Sequence, residues 1–334
     1  MIDMGVLAFR QKNARGNFKP HLSVRFRDAG SKPCVFSIDT SRTPKKYSQP
    51  DAYLITHAHS DHHGKSSMLS ELSVCSDKTA TALEIRHGRE YRGATAGTYD
   101  KINIGDVTVK TCPTGHTVGS TAFYWENDVG TRILVTGDVK DYSMLPSCDV
   151  LITEANYGDV GDFSCYFQDD IEGLKSILNN GGRAAFGAYS FGKAQRMVQL
   201  FRDMGYRGPI EMEDDTKELT EKLMDDPGDL VSLGESGKDG ICLVPPWNLN
   251  RLPQDIPRYV ITGRCDYPYP SIQISDHLDV NGLIDMVKAI DPQVTIVYHP
   301  GGHRPQCFAG YLNSIGKDSI AIGDINNVLS NEFT

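Results

Sequence analysis

Short apolar runs broken by turn residues fill the first half of the chain, a pattern that fits strands and not helices. They predict strands over Leu22–Phe26, Cys34–Ile38, Ala52–Ile55, Val107–Val109, Ala122–Trp125, Ile133–Val135 and Val150–Ile152. Helical spacing becomes clear only after residue 165. Ile171, Leu174 and Leu178 share a face behind the capping candidates Asp169 and Asp170, and Gly181-Gly182 ends the helix. Met197, Phe201 and Met204 mark a second helical face, and residues 214–226 read as a third, very acidic helix. The Pro- and Gly-rich stretch 227–258 reads as loops. Strand patterns return at Tyr259–Thr262, Ile272–Ile274 and Val294–Tyr298, with a helix on Leu283, Ile284, Val287 and Ile290 between the last two. Strand–helix–strand order predicts an α/β fold with helices outside the sheet. A helix-rich block between two strand-rich blocks predicts an insertion near 159–267 into one parent domain, formed by 1–158 and 268–334.

The composition agrees with a folded chain of this size. Of 334 residues, 39% are apolar and 23% charged, enough for a sizeable core. No apolar run approaches the ~18 residues of a membrane span. The opening MIDMGVLAFRQKN lacks the apolar core of a signal peptide. The expectation is a cytoplasmic protein with no membrane partner. The eight cysteines, Cys34, Cys75, Cys112, Cys148, Cys165, Cys242, Cys265 and Cys307, form no CxxC pair. They read as buried thiols and not as a disulfide framework or zinc ribbon.

The strongest chemical signal is Thr56-His57-Ala58-His59-Ser60-Asp61-His62, directly after an apolar strand. Imidazoles and a carboxylate so closely spaced suit a turn at a strand end, where they can converge on a cation of the zinc type. Other apolar strands end the same way. His116, Asp138, Glu154, the pair Asp276-His277, and His299 each follow one. Ligand residues at successive strand tips are the usual construction of an α/β binding site.

HAHSDH resembles the HxHxDH signature of the metallo-β-lactamase fold, and His116, Asp138 and His277 follow in that family's order. Thr153-Glu154-Ala155-Asn156-Tyr157-Gly158, Ile274-Ser275-Asp276-His277 and Tyr298-His299 resemble the motifs of its β-CASP nucleic-acid hydrolases. Gly187-Ala188-Tyr189-Ser190-Phe191-Gly192-Lys193-Ala194-Gln195 resembles a cap-domain segment of cross-link-repair nucleases and ligase-associated DNA exonucleases. Ile38-Asp39-Thr40-Ser41-Arg42-Thr43-Pro44 is similar to the ligase-associated type. Archaeal messenger-RNA 3′-end processing proteins share the pattern. The resemblance implies a metallo-β-lactamase αββα sandwich carrying a small α/β cap.

It also implies the chemistry. Two metal ions would serve phosphodiester hydrolysis by a hydroxide held between them. His57, His59 and His116 would hold the first ion; Asp61, His62 and His277 would hold the second; Asp138 would bridge. Zinc is favoured by the imidazole count, with manganese as the alternative. Glu154 would fix a ligand histidine, and His299 would donate a proton or contact the scissile phosphate. Asp61, Glu154 and His299 are thus the residues expected to matter most for catalysis. Ser190, Gly192 and Lys193 open a helix and would bind substrate phosphate. The substrate would be single-stranded DNA or RNA, cut by an exonuclease, with DNA-repair or RNA-processing proteins as partners. Two other readings stay open: a hydrolase of small esters or thioesters on the same fold, and a non-catalytic RNA-processing subunit. His303 receives no role.

The formal charge of −9 opposes a nucleic-acid partner only at first sight. Residues 211–239 hold eleven acids and three bases, so the remainder carries about −1. Arg10 to Arg27 holds six bases and no acid, and Arg183 to Arg207 five bases and one acid.

Overall fold

A computed structural model describes residues 2–331 apart from 14, 63, 236–239, 264–266 and 300. Cys265 lies outside the described residues. The fold is mixed α/β. The chain divides into two compact units, Met1–Tyr166 with His277–Thr334, and Phe167–Asp276. The second sits in sequence where an insertion over 159–267 is expected, with both ends somewhat later.

The first unit holds two sheets. One runs, in spatial order, Leu7–Phe9, Leu22–Arg27, Pro33–Ile38, Ala52–Leu54, Ser73–Ser76 and Ala94–Ala96. Its first two pairings are antiparallel and the rest parallel. The other runs Ser319–Ala321, Val294–His299, Val150–Glu154, Arg132–Val135, Thr121–Glu126, Val107–Pro113 and Lys101–Ile104. The inner faces of both sheets feed one apolar core: Val24, Phe36 and Leu54 from the first, Phe123, Trp125 and Ile152 from the second. Trp125 is fully buried, with the rings of Phe26 and Phe36 at 5.5 and 5.3 Å. Each buried phenylalanine there contributes about 1.5–3 kcal/mol of transfer free energy. The outer face of the second sheet, through Leu134, Leu151 and Val297, packs on Leu283 and Val287 of helix Val280–Ile290 and on Phe308 and Leu312 of helix Arg304–Ser314.

Sheet direction places the chemistry. Arg132–Val135, Val150–Glu154 and Val294–His299 are mutually parallel. Val107–Pro113 is antiparallel to Thr121–Glu126, which is antiparallel to Arg132–Val135. Two reversals restore direction, so the C-terminal ends that lead to His116, Asp138, Glu154 and His299 all lie on one edge.

The second unit is a single sheet in the order Leu230–Ser232, Ile210–Met212, Ile241–Val244, Ala184–Gly187, Arg258–Ile261 and Ser271–Ile272. All its pairings are parallel. Both faces are covered, one by Leu174, Met197 and Phe201, the other by Leu249 and Ile256, as parallel sheets require.

Three expectations need correction. Residues 227–258 are not all loop: they contain Leu230–Ser232, Ile241–Val244 and a 3-10 turn at Pro246–Arg251. Strands of three and four residues between glycines and prolines carry no alternation, because both faces are buried. Helical structure also begins well before residue 165, with the single turn Gly64–Ser67 and then Asp77–His87. The second of these buries Thr79, Ala80, Ala82 and Leu83, a small-residue face with almost no amphipathic signature. The strand expected over Ile272–Ile274 is confined to Ser271–Ile272.

No helix among the described residues is long and apolar enough to cross a membrane. The seven described cysteines are free, six of them buried. Burial pushes the Cys75 and Cys148 thiols up to about 12.

Candidate metal centre

The HAHSDH segment follows strand Ala52–Leu54 at the tip of the first sheet. Close approach to the second sheet is secured by Gly137, which has φ +65 and would bring a Cβ to 2.6 Å from Thr56. A side chain there would push Asp138 away from the histidines.

Three imidazoles have Nδ1 tied to a protein oxygen. Asp39 Oδ1 accepts the Thr56 amide at 2.7 Å, and its Oδ2 accepts the Thr56 hydroxyl at 2.6 Å and His62 Nδ1 at 2.8 Å. The Thr56 oxygen in turn meets His57 Nδ1 at 3.0 Å. Glu154 Oε1 meets His277 Nδ1 at 3.1 Å. For His57 the contact leaves Nε2 as a lone-pair donor, the arrangement found around metal-bound histidines, whereas His277 turns the same Nδ1 toward Glu154 and, at 4.0 Å, toward Asp138.

Those donors converge. His59 Nδ1 lies 3.1 Å from His57 Nε2 and 3.0 Å from His116 Nε2. Asp138 Oδ2 lies 3.7 Å from His57 Nε2, 3.6 Å from His116 Nε2, 3.3 Å from His62 Nε2 and 4.0 Å from His277 Nδ1. Ligand atoms about 2.1 Å from a tetrahedral ion are about 3.4 Å apart, so the first four groups match the edges of such a tetrahedron. His62 Nε2 is buried and faces the Asp138 carboxylate. The donor set therefore fits a cation.

The electrostatics agree. Burial, reinforced by the surrounding imidazoles, holds His57 well below the ordinary histidine range, so its lone pair is free for a metal. Burial also opposes charge on His62, but Asp138 and Asp39 outweigh it and raise that imidazole well above its usual value. A proton on His62 here supplies positive charge beside two carboxylates. Burial raises Asp138. Glu154 is lowered despite its burial, because His277 and the amides of Val139 and Asn156 all favour the carboxylate. The Val139 and Asn156 amides donate to it at 2.7 and 3.0 Å.

Candidate cation-binding groups are His57, His59, His116 and Asp138; Asp138, Glu154 and His277; and Asp61, His62 and His299. The expected first-ion residues thus come together, with Asp138 shared. The expected second set is split: His62 and His277 both face Asp138, whereas exposed Asp61 stands beside His62 and 3.8 Å from His299 Nε2. His299 is lowered below the ordinary range by burial and by His62 and His21, and is neutral at pH 7. A neutral ring accepts a proton before it can give one. His303 stands apart with Asp159 and Cys307.

Several residues here escaped the sequence reading. Asp39 was noticed only inside a motif, and its role depends on an uncommon φ of +49 at a strand end. Asn156 donates to Glu154 at 2.6 Å and Asp138 at 3.3 Å. His21 stacks on His299 at 5.1 Å and meets the Asp61 carbonyl at 2.5 Å. A lone histidine after a proline carries no local signal for this.

The Ser190–Lys193 segment belongs to the second unit. Lys193 is buried, donating to the Ile274 carbonyl at 3.0 Å with Asp276 at 3.5 Å. The Gly192 amide donates to Gln195 Oε1 at 2.7 Å, and Gln195 Nε2 donates to the Ser190 carbonyl at 3.0 Å. The helix start expected to bind phosphate is capped by its own chain.

No family model matches this chain. It is 26% identical over 202 residues to an RNase J-like protein of Methanocaldococcus jannaschii, covering 51% of this chain and 48% of that one. It is 25% identical over 312 residues to a probable DNA ligase of Opitutus terrae, covering 82% of this chain and 29% of the ligase. The chain therefore spans about half the length of the first relative and under a third of the second. In structure it resembles a protein of unknown function from Enterococcus faecalis, with TM-score 0.65 and 13% identity over 94% of this chain and 97% of that one. That likeness concerns the fold alone.

Proposed function

We propose that the protein is a metal-dependent phosphodiesterase of the metallo-β-lactamase type with a β-CASP-like cap, hydrolysing single-stranded DNA or RNA as an exonuclease. The observation that carries this reading is Asp138: one carboxylate oxygen with imidazole nitrogens from four histidines within 4.0 Å. A carboxylate so placed can join two cation sites. The RNase J-like and ligase relatives favour nucleic acid as the substrate.

His57, His59 and His116 would hold one ion, His62 and His277 the other with Asp61 at its open side, and Asp138 both. When bound, two such ions, zinc before manganese on this donor set, would lower the pKa of water and neutralise phosphate charge. The protein's own part is to fix the rings. Asp39 and Glu154 hold His62 and His277 in one tautomer, and Thr56 does so for His57. Neutral His299, packed against His21 beside Asp61, would take the proton shed by the attacking water and pass it to the leaving oxygen.

The test is cleavage of end-labelled DNA and RNA of identical sequence with Zn²⁺ or Mn²⁺. Wild type should give a stepwise ladder, while Asp138→Asn and Asp61→Ala should not. Absence of cleavage with every metal, or undiminished cleavage by Asp61→Ala, would overturn the reading.

A further inference from the structure

The lysines and arginines between Arg10 and Arg27 play no part in the centre just described. In the structure this run forms one wall of a groove of about 1140 Å³; the opposite wall is the segment Ser41 to Ser48. The two walls are stitched together by buried Lys19, which donates to Gln11 Oε1 at 3.3 Å and the Ser41 carbonyl at 3.1 Å. No aspartate or glutamate is among the described residues that line it. Instead Arg10, Lys12, Arg25 and Arg42 line it, together with Phe9 and Phe18. Cations and rings are paired: Lys12 lies over Phe18 at 5.3 Å and Arg25 over Phe9 at 5.9 Å. Phe18 is 40% exposed, unusual for a phenylalanine with a core to join. Arg42 also borders a smaller hollow of about 370 Å³ with Arg89, Arg92 and one acid, Glu90.

One lining residue is bonded next to the candidate centre. Arg10 Nη2 donates to the carbonyl of Tyr298, the neighbour of His299, at 3.2 Å. Its Nε is buried and makes no hydrogen bond. Beyond it, His21 connects the same chain segment to His299 and Asp61.

We infer that this groove binds a single strand of nucleic acid and delivers it to the metal centre, an inference that rests on the phosphodiesterase reading. Pockets for small ligands measure about 300–1,000 Å³, so the volume suits an extended occupant. Cations without acids suit phosphates, whose affinity is electrostatic. Exposed rings beside them suit bases, which stack on aromatic faces whatever their sequence. An acidic peptide would satisfy the cations and leave the rings unused.

Fluorescence anisotropy with a labelled twelve-nucleotide oligo(dT), on the full chain in EDTA, separates binding from cleavage. Each phosphate contact adds about 0.7 to the slope of log affinity against log salt. Lys12→Ala/Arg25→Ala should weaken binding roughly tenfold and flatten the slope by about 1.4. Phe18→Ala should weaken binding by about fivefold or more at every salt concentration and leave the slope unchanged. All three positions are partly exposed or exposed, and a thermal melt checks that each variant folds. Failure of wild type to bind, variants that bind like wild type, or equal competition by polyglutamate would overturn the inference. Cleavage of the same oligonucleotide with Mn²⁺ is scored separately. Binding without cleavage by wild type sinks the phosphodiesterase reading and leaves the groove; full cleavage by both variants sinks the groove alone.

Discussion

Two strand ends in this molecule carry the polar residues of a candidate site, and their hydrogen bonds separate them. At the edge where Ala52–Leu54 and the Asp138 strand end, side chains are held from behind while their inward atoms point at one another. His62 Nε2 faces Asp138 Oδ2 at 3.3 Å, and three imidazole nitrogens crowd to 3.0–3.1 Å. At the end of Ala184–Gly187 the buried groups are answered within their own unit: Lys193 by Ile274 and Asp276, Gly192 by Gln195, and Gln195 by Thr220 at 2.9 Å. Buried polar groups are normally satisfied. Imidazoles that converge on one another and on a carboxylate mark a place for a cation, and groups answered by the neighbouring backbone and amides mark a structural cap.

The sharpest way to break this contrast is to remove the shared carboxylate. Asp138→Asn keeps the volume and loses the charge that four imidazoles face. Cleavage should fall by at least about a thousandfold, since the ions supply several kcal/mol of transition-state stabilisation, and metal content measured after dialysis should fall with it. Unchanged metal content would show that the convergence holds no ion. Next in size are the residues that hold the rings. Asp39→Asn or Glu154→Gln should cost about 10–100-fold in metal affinity or activity. Competition with a chelator reads the affinity, and an activity loss with metal affinity intact would place these carboxylates in the reaction and not behind it.

The same contrast explains what was legible beforehand. HAHSDH, His116, Asp138 and His277 are identifiable because ligand chemistry restricts residue type and strand ends restrict place. Asp39 is not, since an aspartate after a strand is an ordinary turn residue until its two oxygens are seen on Thr56 and His62. His21 reaches the centre only through tertiary packing. Lys193 is not decided by sequence for the opposite reason: a glycine, a lysine and a helix start look alike whether the helix meets a phosphate or its own Gln195. In the fold, buried strands such as Ala52–Leu54 and Val150–Glu154 are visible as apolar runs, whereas Ile210–Met212, with Glu211 at its centre, and Ile241–Val244, inside a Pro- and Gly-rich stretch, are not.

Lys193→Met tests the second region directly. If Lys193 is structural, the variant should lose about 1–3 kcal/mol of stability, the cost of an unmade buried hydrogen bond. The loss is moderated because Arg196 Nη1 still stands 3.4 Å from Asp276. Thermal unfolding reads the loss, and KM for the oligonucleotide should not move. A raised KM with an unchanged melting temperature would restore the phosphate-binding role and erase the contrast.

The smallest effect lies in the acid limb of stability for the metal-free protein. Glu154 is lowered in the folded state by His277 and by the Val139 and Asn156 amides, which outweigh burial. A carboxyl lowered on folding stabilises above its unfolded value of about 4.3, and that contribution is lost as the pH falls through the folded value. In EDTA, the melting temperatures of wild type and Glu154→Gln should therefore differ most at pH 6–8 and converge below about pH 4. Glutamine can still accept from Val139, so the gap at neutral pH measures charge and not shape. A gap that widened in acid would mean that burial dominates and Glu154 is protonated in the fold. His277 would then lack an anionic anchor, and the held-from-behind character of the centre would rest on Asp39 alone.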